Sequence, residues 1–129
     1  MGTTAHTTAR LNLTVNPSDK FKFNLSLFHA DDIFGTVNTE DFQDPEDTTM
    51  QLPAYELFDF GSSYTLSIGG KNVYLRLNIN NIFDEEYYYM SRNNVFASPG
   101  EPTYKGIPLN AKVFPGWGRT YNLGLTYRF

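Results

Sequence analysis

The side chains that could do chemistry in this 129-residue chain are carboxylates and tyrosines, with few histidines and no cysteine. The absence of cysteine excludes disulfides, thiolate metal sites and cysteine nucleophiles. His6 and His29 are two isolated histidines, too few for a metal site or a catalytic dyad. No Ser–His–Asp order, phosphate-cradling loop or inward-facing carboxylate pair is present. We therefore predict a chain that is not an enzyme and that holds no metal or cofactor.

Carboxylates are concentrated in one segment, because half of the 14 acidic residues lie between Asp31 and Asp47. Asp44, Glu46 and Asp47 are close enough in sequence to bind a divalent cation, but the glycine and the distal glutamate of an EF-hand loop are missing. A solvated outer loop is the favoured interpretation, and the same holds for the second cluster, Asp84-Glu85-Glu86. A net charge of -4 and a pI near 5.0 argue against a nucleic-acid partner.

Aromatic residues form a further candidate site. Tyr87, Tyr88 and Tyr89 follow one another directly, and Trp117 stands alone further on. An aromatic girdle at a membrane interface is the first interpretation. Stacking of one of these rings on a ligand is the second, and the sequence does not decide between them.

The elements that would position these residues are β-strands, most plainly in the last stretch of the chain. Large apolar side chains alternate there with polar or small ones, as in a strand with two chemically different faces. The apolar positions are Tyr121, Leu123, Leu125, Tyr127 and Phe129. A face that meets lipid, opposite a face that meets a wet lumen, explains this pattern and the aromatic at the last position.

Four earlier segments alternate in the same way. The first of them ends near Val15. The other three run from Phe21 to about Phe28, from about Tyr55 to Ile68, and from Val73 to Asn80. Residues 16–20 and 69–72 are short turns, whereas residues 30–53 and 81–115 are predicted as long irregular loops. Five strands joined by a short turn, a long loop, a short turn and a long loop form an all-β antiparallel meander with its long loops on one edge.

Two classes of protein fit this pattern. An outer-membrane barrel gives many aromatics (16%) with a mean hydropathy of only -0.41, because half of each strand faces water. A soluble β-sandwich that binds glycans is the alternative, but it needs a second layer over the apolar row. The start of the chain shows no charged-then-apolar leader, so the barrel interpretation expects a missing earlier part.

Three stretches resemble the C-terminal end of TonB-dependent receptors, the large gated barrels of Gram-negative outer membranes. They are residues 52–64, residues 75–87 with the element Asn80-Asn81-Ile82-Phe83-Asp84, and residues 116–129. The resemblance implies that residues 1–129 are a C-terminal segment of a barrel of about 22 strands, whose plug domain and earlier strands are absent. It also implies uptake of a scarce nutrient such as a ferric siderophore, haem, cobalamin or an oligosaccharide.

The resemblance further implies a set of partners. They are the lipid bilayer and lipopolysaccharide, the rest of the barrel and plug, the TonB system through that plug, and the barrel-insertion machinery, which reads the terminal strand. Tyr87, Tyr88, Tyr89 and Trp117 become candidate outer-loop ligand contacts. Four arginines fall on predicted lumen faces, where they could pair with Asp59 or with plug carboxylates, guidance of an anionic substrate being the less favoured role: Arg10, Arg76, Arg119 and Arg128.

Overall fold

The computed structural model describes residues 5–35, 48–91, 96–97 and 99–129. Strands dominate these residues, and none of them belongs to a helix. Five strands are long: β1 (Ala5–Ser18), β2 (Phe21–Phe34), β5 (Tyr55–Ile68), β6 (Lys71–Asn80) and β12 (Thr120–Arg128). Seven are short: β3 (Thr48–Thr49), β4 (Gln51–Leu52), β7 (Tyr88–Ser91), β8 (Phe96–Ala97), β9 (Thr103–Tyr104), β10 (Ile107–Pro108) and β11 (Val113–Pro115).

The long strands form one sheet in the order β1-β2-β5-β6-β12, with β4 attached to β2. Each long strand is therefore next to the long strand that follows it in sequence, as the predicted meander requires. The pairing is antiparallel and in continuous register from Phe60↔Ile79 to Ile68↔Lys71 and from Thr120↔Asn80 to Arg128↔Asn72. The predicted all-β antiparallel meander is confirmed.

The described chain divides into two compact units. The sheet unit comprises residues 10–28, 56–85 and 117–129, and the connection unit comprises residues 1–9, 29–55 and 86–116. The long-strand sheet supplies most of the first unit, and three small two-stranded sheets, β3-β8, β7-β11 and β9-β10, lie in the second.

The predicted boundary of the first long loop is wrong. The sequence analysis ended the second strand near Phe28, but β2 continues to Phe34, where Ile33 pairs with Leu52. Ala30, Ile33 and Leu52 are buried, so burial against the short strand β4 extends the ladder beyond the point where alternation stops. The Asp32 backbone has a φ of 52°, which interrupts the alternation and hides the strand from a period-two pattern.

The second predicted loop, residues 81–115, is also more ordered than expected. It contains β7 to β11, and two of its small sheets are antiparallel pairs, β7 with β11 and β9 with β10. Lys105 and Gly106 both have positive φ between Tyr104 and Ile107, the backbone of a tight two-residue hairpin turn. Strands of two to four residues are too short to show a periodicity.

Smaller corrections concern the turns. β1 extends to Ser18 rather than Val15, so the first turn consists of Asp19 and Lys20. Pro17 is tolerated inside β1 because β1 is an edge strand of the described sheet, where a missing N–H breaks no ladder. β6 begins at Lys71, and Gly69 and Gly70, both at positive φ, form the turn that precedes it.

Candidate functional site

One face of the long-strand sheet is apolar across its width. Residues directly opposite each other in an antiparallel pair point to the same face, so the register places Tyr121, Ile79 and Phe60 in one row, and Leu125, Leu75 and Tyr64 in another. Ring contacts of Phe23 with Phe60, and of Phe21 with Tyr64, continue the rows onto β2. The result is one apolar face, in which Ser62, in the row of Leu77 and Leu123, is a polar exception.

This apolar face is exposed. Leu123 has 77% of its surface accessible and Leu125 has 67%, although each lies opposite a leucine of β6. Tyr121, Tyr127 and Phe129 are exposed as well, so all five side chains of the predicted lipid-facing row are uncovered. The five fully buried apolar residues of the described chain all belong to the connection unit: Ala30, Ile33, Met50, Leu52 and Ile107.

Aromatic side chains mark both ends of the apolar face. At the loop end, Phe83 packs edge-to-face on Phe58 with ring centroids 5.0 Å apart. At the turn end, Tyr127 and Phe129 lie 5.9 Å apart, and Lys71 stands over the Tyr127 ring. Aromatic rings therefore lie at both borders of the apolar face.

The opposite face is polar. Asn122, Asn78 and Gly61 form one row, and Gly124, Arg76 and Ser63 form the next. The amide oxygens of Asn24 and Asn78 lie over the Cα of Gly61, where any side chain would collide with them. Shallow clefts open on this face, including one of about 430 Å³ that contains Arg76, Arg128 and Tyr74, and one of about 200 Å³ that contains Arg76 and Lys22.

Asn81 forms a buried junction at the loop end of the sheet unit, which the sequence analysis did not anticipate. Its Nδ2 donates to the carbonyls of Glu85 (2.9 Å) and Trp117 (3.2 Å), and its Oδ1 accepts from the Glu85 amide (2.8 Å). Its backbone N–H donates to Asp59 Oδ1 at 2.8 Å. With a φ of 51°, the position suits asparagine, the non-glycine residue that best tolerates this conformation.

Asp84 completes the junction. Its Oδ1 accepts the Arg119 backbone N–H at 2.8 Å, and Arg119 Nη1 donates to the Ile82 carbonyl at 3.2 Å. A Cβ at Gly118 would approach the same Asp84 oxygen to 2.9 Å, so glycine leaves room for this contact. The Asn80–Asp84 element therefore ties the ends of β5 and β6 to the start of β12, and its role in the described structure is architectural.

The three consecutive tyrosines have different surroundings. Tyr87 stacks at a tilt on Tyr55, with ring centroids 4.5 Å apart, and its ring occupies the space that a side chain at Gly116 would need. Tyr88 is half-buried, and Tyr89 is 46% exposed. Because Tyr87 is held on both sides, Tyr88 and Tyr89 offer more ring surface to a ligand.

Tyr88 belongs to a hydrogen-bonded cluster with Glu86 and Lys105. The Tyr88 hydroxyl donates to Glu86 Oε1 at 2.5 Å, and Lys105 Nζ donates to Glu86 Oε2 at 3.0 Å. Lys105 also stands 5.7 Å from the Tyr104 ring centroid. The hydrogen bonds from Tyr88 and Lys105 lower the pKa of the Glu86 carboxyl, and the same bonds raise the pKa of Tyr88 and of Lys105.

Trp117, the fourth candidate ligand contact, is 84% exposed in the sheet unit, and only its backbone carbonyl takes part in the Asn81 junction. The prediction of ligand contact remains a prediction for all four aromatics. The placement of Arg119 on the lumen face is wrong, because its guanidinium stands 6.0 Å from the Tyr121 ring on the apolar side. Arg10 does not pair with Asp59 but lies over the Phe28 ring at 5.2 Å.

Residues 36–47 of the acidic segment lie outside the described residues. Asp32, at its described start, accepts hydrogen bonds from the Thr7 hydroxyl (3.1 Å) and the Gln51 amide (3.5 Å). The His6 ring packs edge-to-face on Phe34 at 5.3 Å. Within the described ranges, no three His, Cys, Asp or Glu side chains are placed to hold a metal ion.

None of the described residues forms a helix long and apolar enough to cross a membrane.

Part of this chain is similar to a known receptor. In two strains of Pseudomonas aeruginosa (UCBPP-PA14 and PAO1), the metal-pseudopaline receptor CntO is 38% identical to the chain over 84 residues, which is 64% of the chain. The chain spans only 11% of the length of these receptors. No family model and no solved structure matches it. The likeness is therefore to one part of a protein that is named as a receptor.

Proposed function

We propose that residues 1–129 are a C-terminal barrel segment of a TonB-dependent outer-membrane receptor that imports a scarce nutrient. In this proposal the five long strands cross the membrane, and their polar face lines the lumen. The chain alone is not transport-competent, because a sheet of five strands leaves unpaired backbone groups at its edges, which hydrocarbon does not tolerate.

The observation that carries the proposal is the exposed apolar face. In water, the row from Tyr121 to Phe129 would forgo on the order of 10 kcal/mol of burial free energy, at roughly 25 cal/mol per Å² of apolar surface. Lipid against this face recovers that free energy, and the aromatic side chains at its two ends suit the two interfaces. A soluble glycan-binding sandwich would instead need a second sheet over this face, and its leucines are exposed.

The similarity to a receptor supports the same proposal, and the relative's name suggests one class of nutrient. The relative's name refers to a metal complex, metal-pseudopaline, so we favour a metal chelate among the nutrients that the resemblance allows. The half-buried Tyr88 and the exposed Tyr89 and Trp117 are each proposed as an outer-loop contact for such a chelate, and Tyr87 is held by its packing on Tyr55.

The remaining partners follow from the same proposal. The apolar row of β12 meets lipid and lipopolysaccharide, and during assembly the terminal strand is read by the barrel-insertion machinery. The plug domain, which contacts the TonB system, lies in the part of the receptor that precedes this segment.

Fractionation of the native product tests the proposal. An antibody raised against residues 118–129 should detect a band in the detergent-extracted outer membrane, several times heavier than 14.7 kDa. Washing the membranes with carbonate should leave the band in place, because a barrel is integral. A soluble 14.7 kDa monomer would contradict the proposal and favour the sandwich.

A further inference from the structure

Positive charge collects on the polar face of the sheet, although the chain as a whole carries a net charge of -4. Four cations occupy positions on this face: Arg10, Lys22, Arg76 and Arg128. Asp59, a carboxylate on β5, accepts a hydrogen bond from the backbone N–H of Asn81. At the adjoining turn, Asp19 lines a cleft together with Lys20 and Lys22.

Two of the four cations are already engaged. Arg10 stands over the Phe28 ring at 5.2 Å, and Arg128 stands over the Tyr74 ring at 5.3 Å. Lys22 and Arg76 are exposed, and within the part of the chain that the structure describes no carboxylate lies within ion-pair distance of either. Neither cation is therefore neutralised by an ion pair, although Asp19 lines a cleft with Lys22.

These two free cations flank one hydroxyl. Ser63 lies directly opposite Arg76 on β6. The hydrogen bond from the Thr65 amide to the Lys20 carbonyl (2.7 Å) sets the register of β2, so Lys22 is next to Ser63 on its other side. Neighbouring strands are about 4.8 Å apart, so the Lys22 and Arg76 Cα atoms are roughly 10 Å apart. Their long side chains can converge on a group between them.

The surroundings suit a carboxylate. The cleft of about 200 Å³ that contains Lys22 and Arg76 is also lined by three residues of the polar face whose side chains can donate: Asn24, Ser63 and Asn78. Arginine presents a planar fork that matches the two oxygens of a carboxylate, and lysine adds a point charge. Gly124, opposite Arg76, leaves the far side of the arginine open to the larger cleft.

We propose that Lys22 and Arg76, with the Ser63 hydroxyl between them, form a binding site for the carboxylate group of a small solute on the polar face of the sheet. The site does not require the receptor function, because the polar face is exposed to water in a receptor lumen and on a soluble domain alike. In a receptor, the site would bind anionic solutes on the inner wall of the barrel.

Chemical protection of the native, detergent-extracted product tests the site with citrate as the probe, at constant ionic strength. Lys22 is acetylated with a water-soluble ester, Arg76 is modified with phenylglyoxal, and both are quantified by peptide mass spectrometry. Citrate should slow both reactions by roughly tenfold, the effect of a charge-assisted hydrogen bond. Half-protection should fall at the same citrate concentration for both residues, and triethyl citrate, which has no carboxylate, should protect neither.

The variant Arg76→Gln makes the test specific. It should abolish citrate protection of Lys22, whereas the matched variant Arg10→Gln, which removes one positive charge from the same face outside the cleft, should leave that protection intact. Unchanged circular dichroism verifies that each variant is folded.

Three results would overturn the proposal. They are equal slowing of Lys71 and Lys105 by citrate, survival of Lys22 protection in Arg76→Gln, and slow modification of Lys22 and Arg76 before citrate is added, which would mean that another protein segment already covers them. None of these results bears on membrane extraction, so failure of the site and failure of the proposed receptor function are distinguishable.

Discussion

The two units of the chain differ in whether their large apolar side chains are buried or exposed. The connection unit buries Ile33, Met50 and Leu52 completely, and it builds this small core from strands of only two to four residues together with the end of β2. The sheet unit has longer strands and more regular pairing, yet its leucines on β12 are exposed. Regular hydrogen bonding alone therefore does not bury apolar surface, and the sheet depends on its surroundings for that.

The largest effect is expected from truncating a buried side chain in the core of the connection unit. Ile33→Ala should destabilise that unit by about 2–5 kcal/mol, because a fully buried side chain leaves a cavity. Hydrogen exchange at the Gly35 amide, which donates to the Met50 carbonyl at 2.6 Å, should accelerate accordingly. Ile33→Val is the control and should cost about 0.5–1.5 kcal/mol. Equal exchange rates in the wild type and in Ile33→Ala would show that this core does not hold the unit together.

The sheet unit should respond to charge on one face only. Leu123→Lys should lower the free energy of unfolding in lipid vesicles by about 2–4 kcal/mol, the cost of a cation near the middle of a bilayer. The neighbouring change Asn122→Lys, on the polar face, should cost less than about 1 kcal/mol. Urea unfolding of vesicle-inserted protein, followed by gel mobility, measures both. Similar losses for the two variants would mean that the apolar face does not contact lipid.

In the sheet unit, we expect the buried hydrogen bonds of the Asn81 junction to contribute to stability. Asn81→Ala should cost roughly 2–3 kcal/mol, because it leaves the Glu85 amide without its acceptor and places alanine at positive φ. The adjacent Asn80→Ala removes one exposed hydrogen bond to Thr120 and should cost less than about 1 kcal/mol. Denaturant titration of both variants in detergent distinguishes them, and equal costs would refute the special role of Asn81.

The smallest expected effect concerns the Glu86–Lys105–Tyr88 cluster in the connection unit. The folded-state pKa of Glu86 is lowered, so its contribution to stability is present above the ordinary carboxyl pKa of about 4.3 and is lost as the pH falls through the folded value. The pKa of Lys105 is raised, so its contribution is present below about 10.4 and is lost as the pH rises through the folded value. The cluster should therefore persist across the whole neutral range.

The NMR signal of the Gly106 amide, next to Lys105 in the hairpin turn, measures this effect. It should shift on acidification with a midpoint below about 4.3. In Glu86→Gln the same signal should be nearly independent of pH over this range. A midpoint at or above the ordinary carboxyl value would mean that Tyr88 and Lys105 do not hold the Glu86 carboxylate in solution.

The sequence predicted the structure correctly where the alternation of apolar and polar residues repeats many times. The alternation in β5, β6 and β12 predicted their faces and their meander order, because every second residue reports the same environment. It failed in residues 81–115, whose strands of two to four residues are too short to show a period. It also failed at Phe34, where β2 contains a positive φ at Asp32 and continues because the distant strand β4 buries Ile33. No local pattern records such a partner.

For the candidate site, the same reasoning located the exposed apolar row but not the Asn81 junction. The Asn80–Asp84 element is part of the resemblance, and its asparagine and aspartate were the available signal. What the sequence lacked was the identity of the acceptors, since two of them are backbone carbonyls, which every residue has. Lys22 was overlooked because its neighbour Ser63 lies 41 positions away along the chain, on a different strand.

The hydrogen bonds of Asn81 have a consequence for how the chain can vary in length. One amide group holds Glu85 and Trp117 together, and the whole connection from Glu86 to Gly116 leaves and returns between these two points. Its ends are thus fixed independently of its contents. For a connection whose ends are already joined, each doubling of length costs only about 0.6 kcal/mol of closure entropy. The connection should therefore tolerate insertions, deletions and even exchange for a foreign loop, while β6 and β12 keep their register.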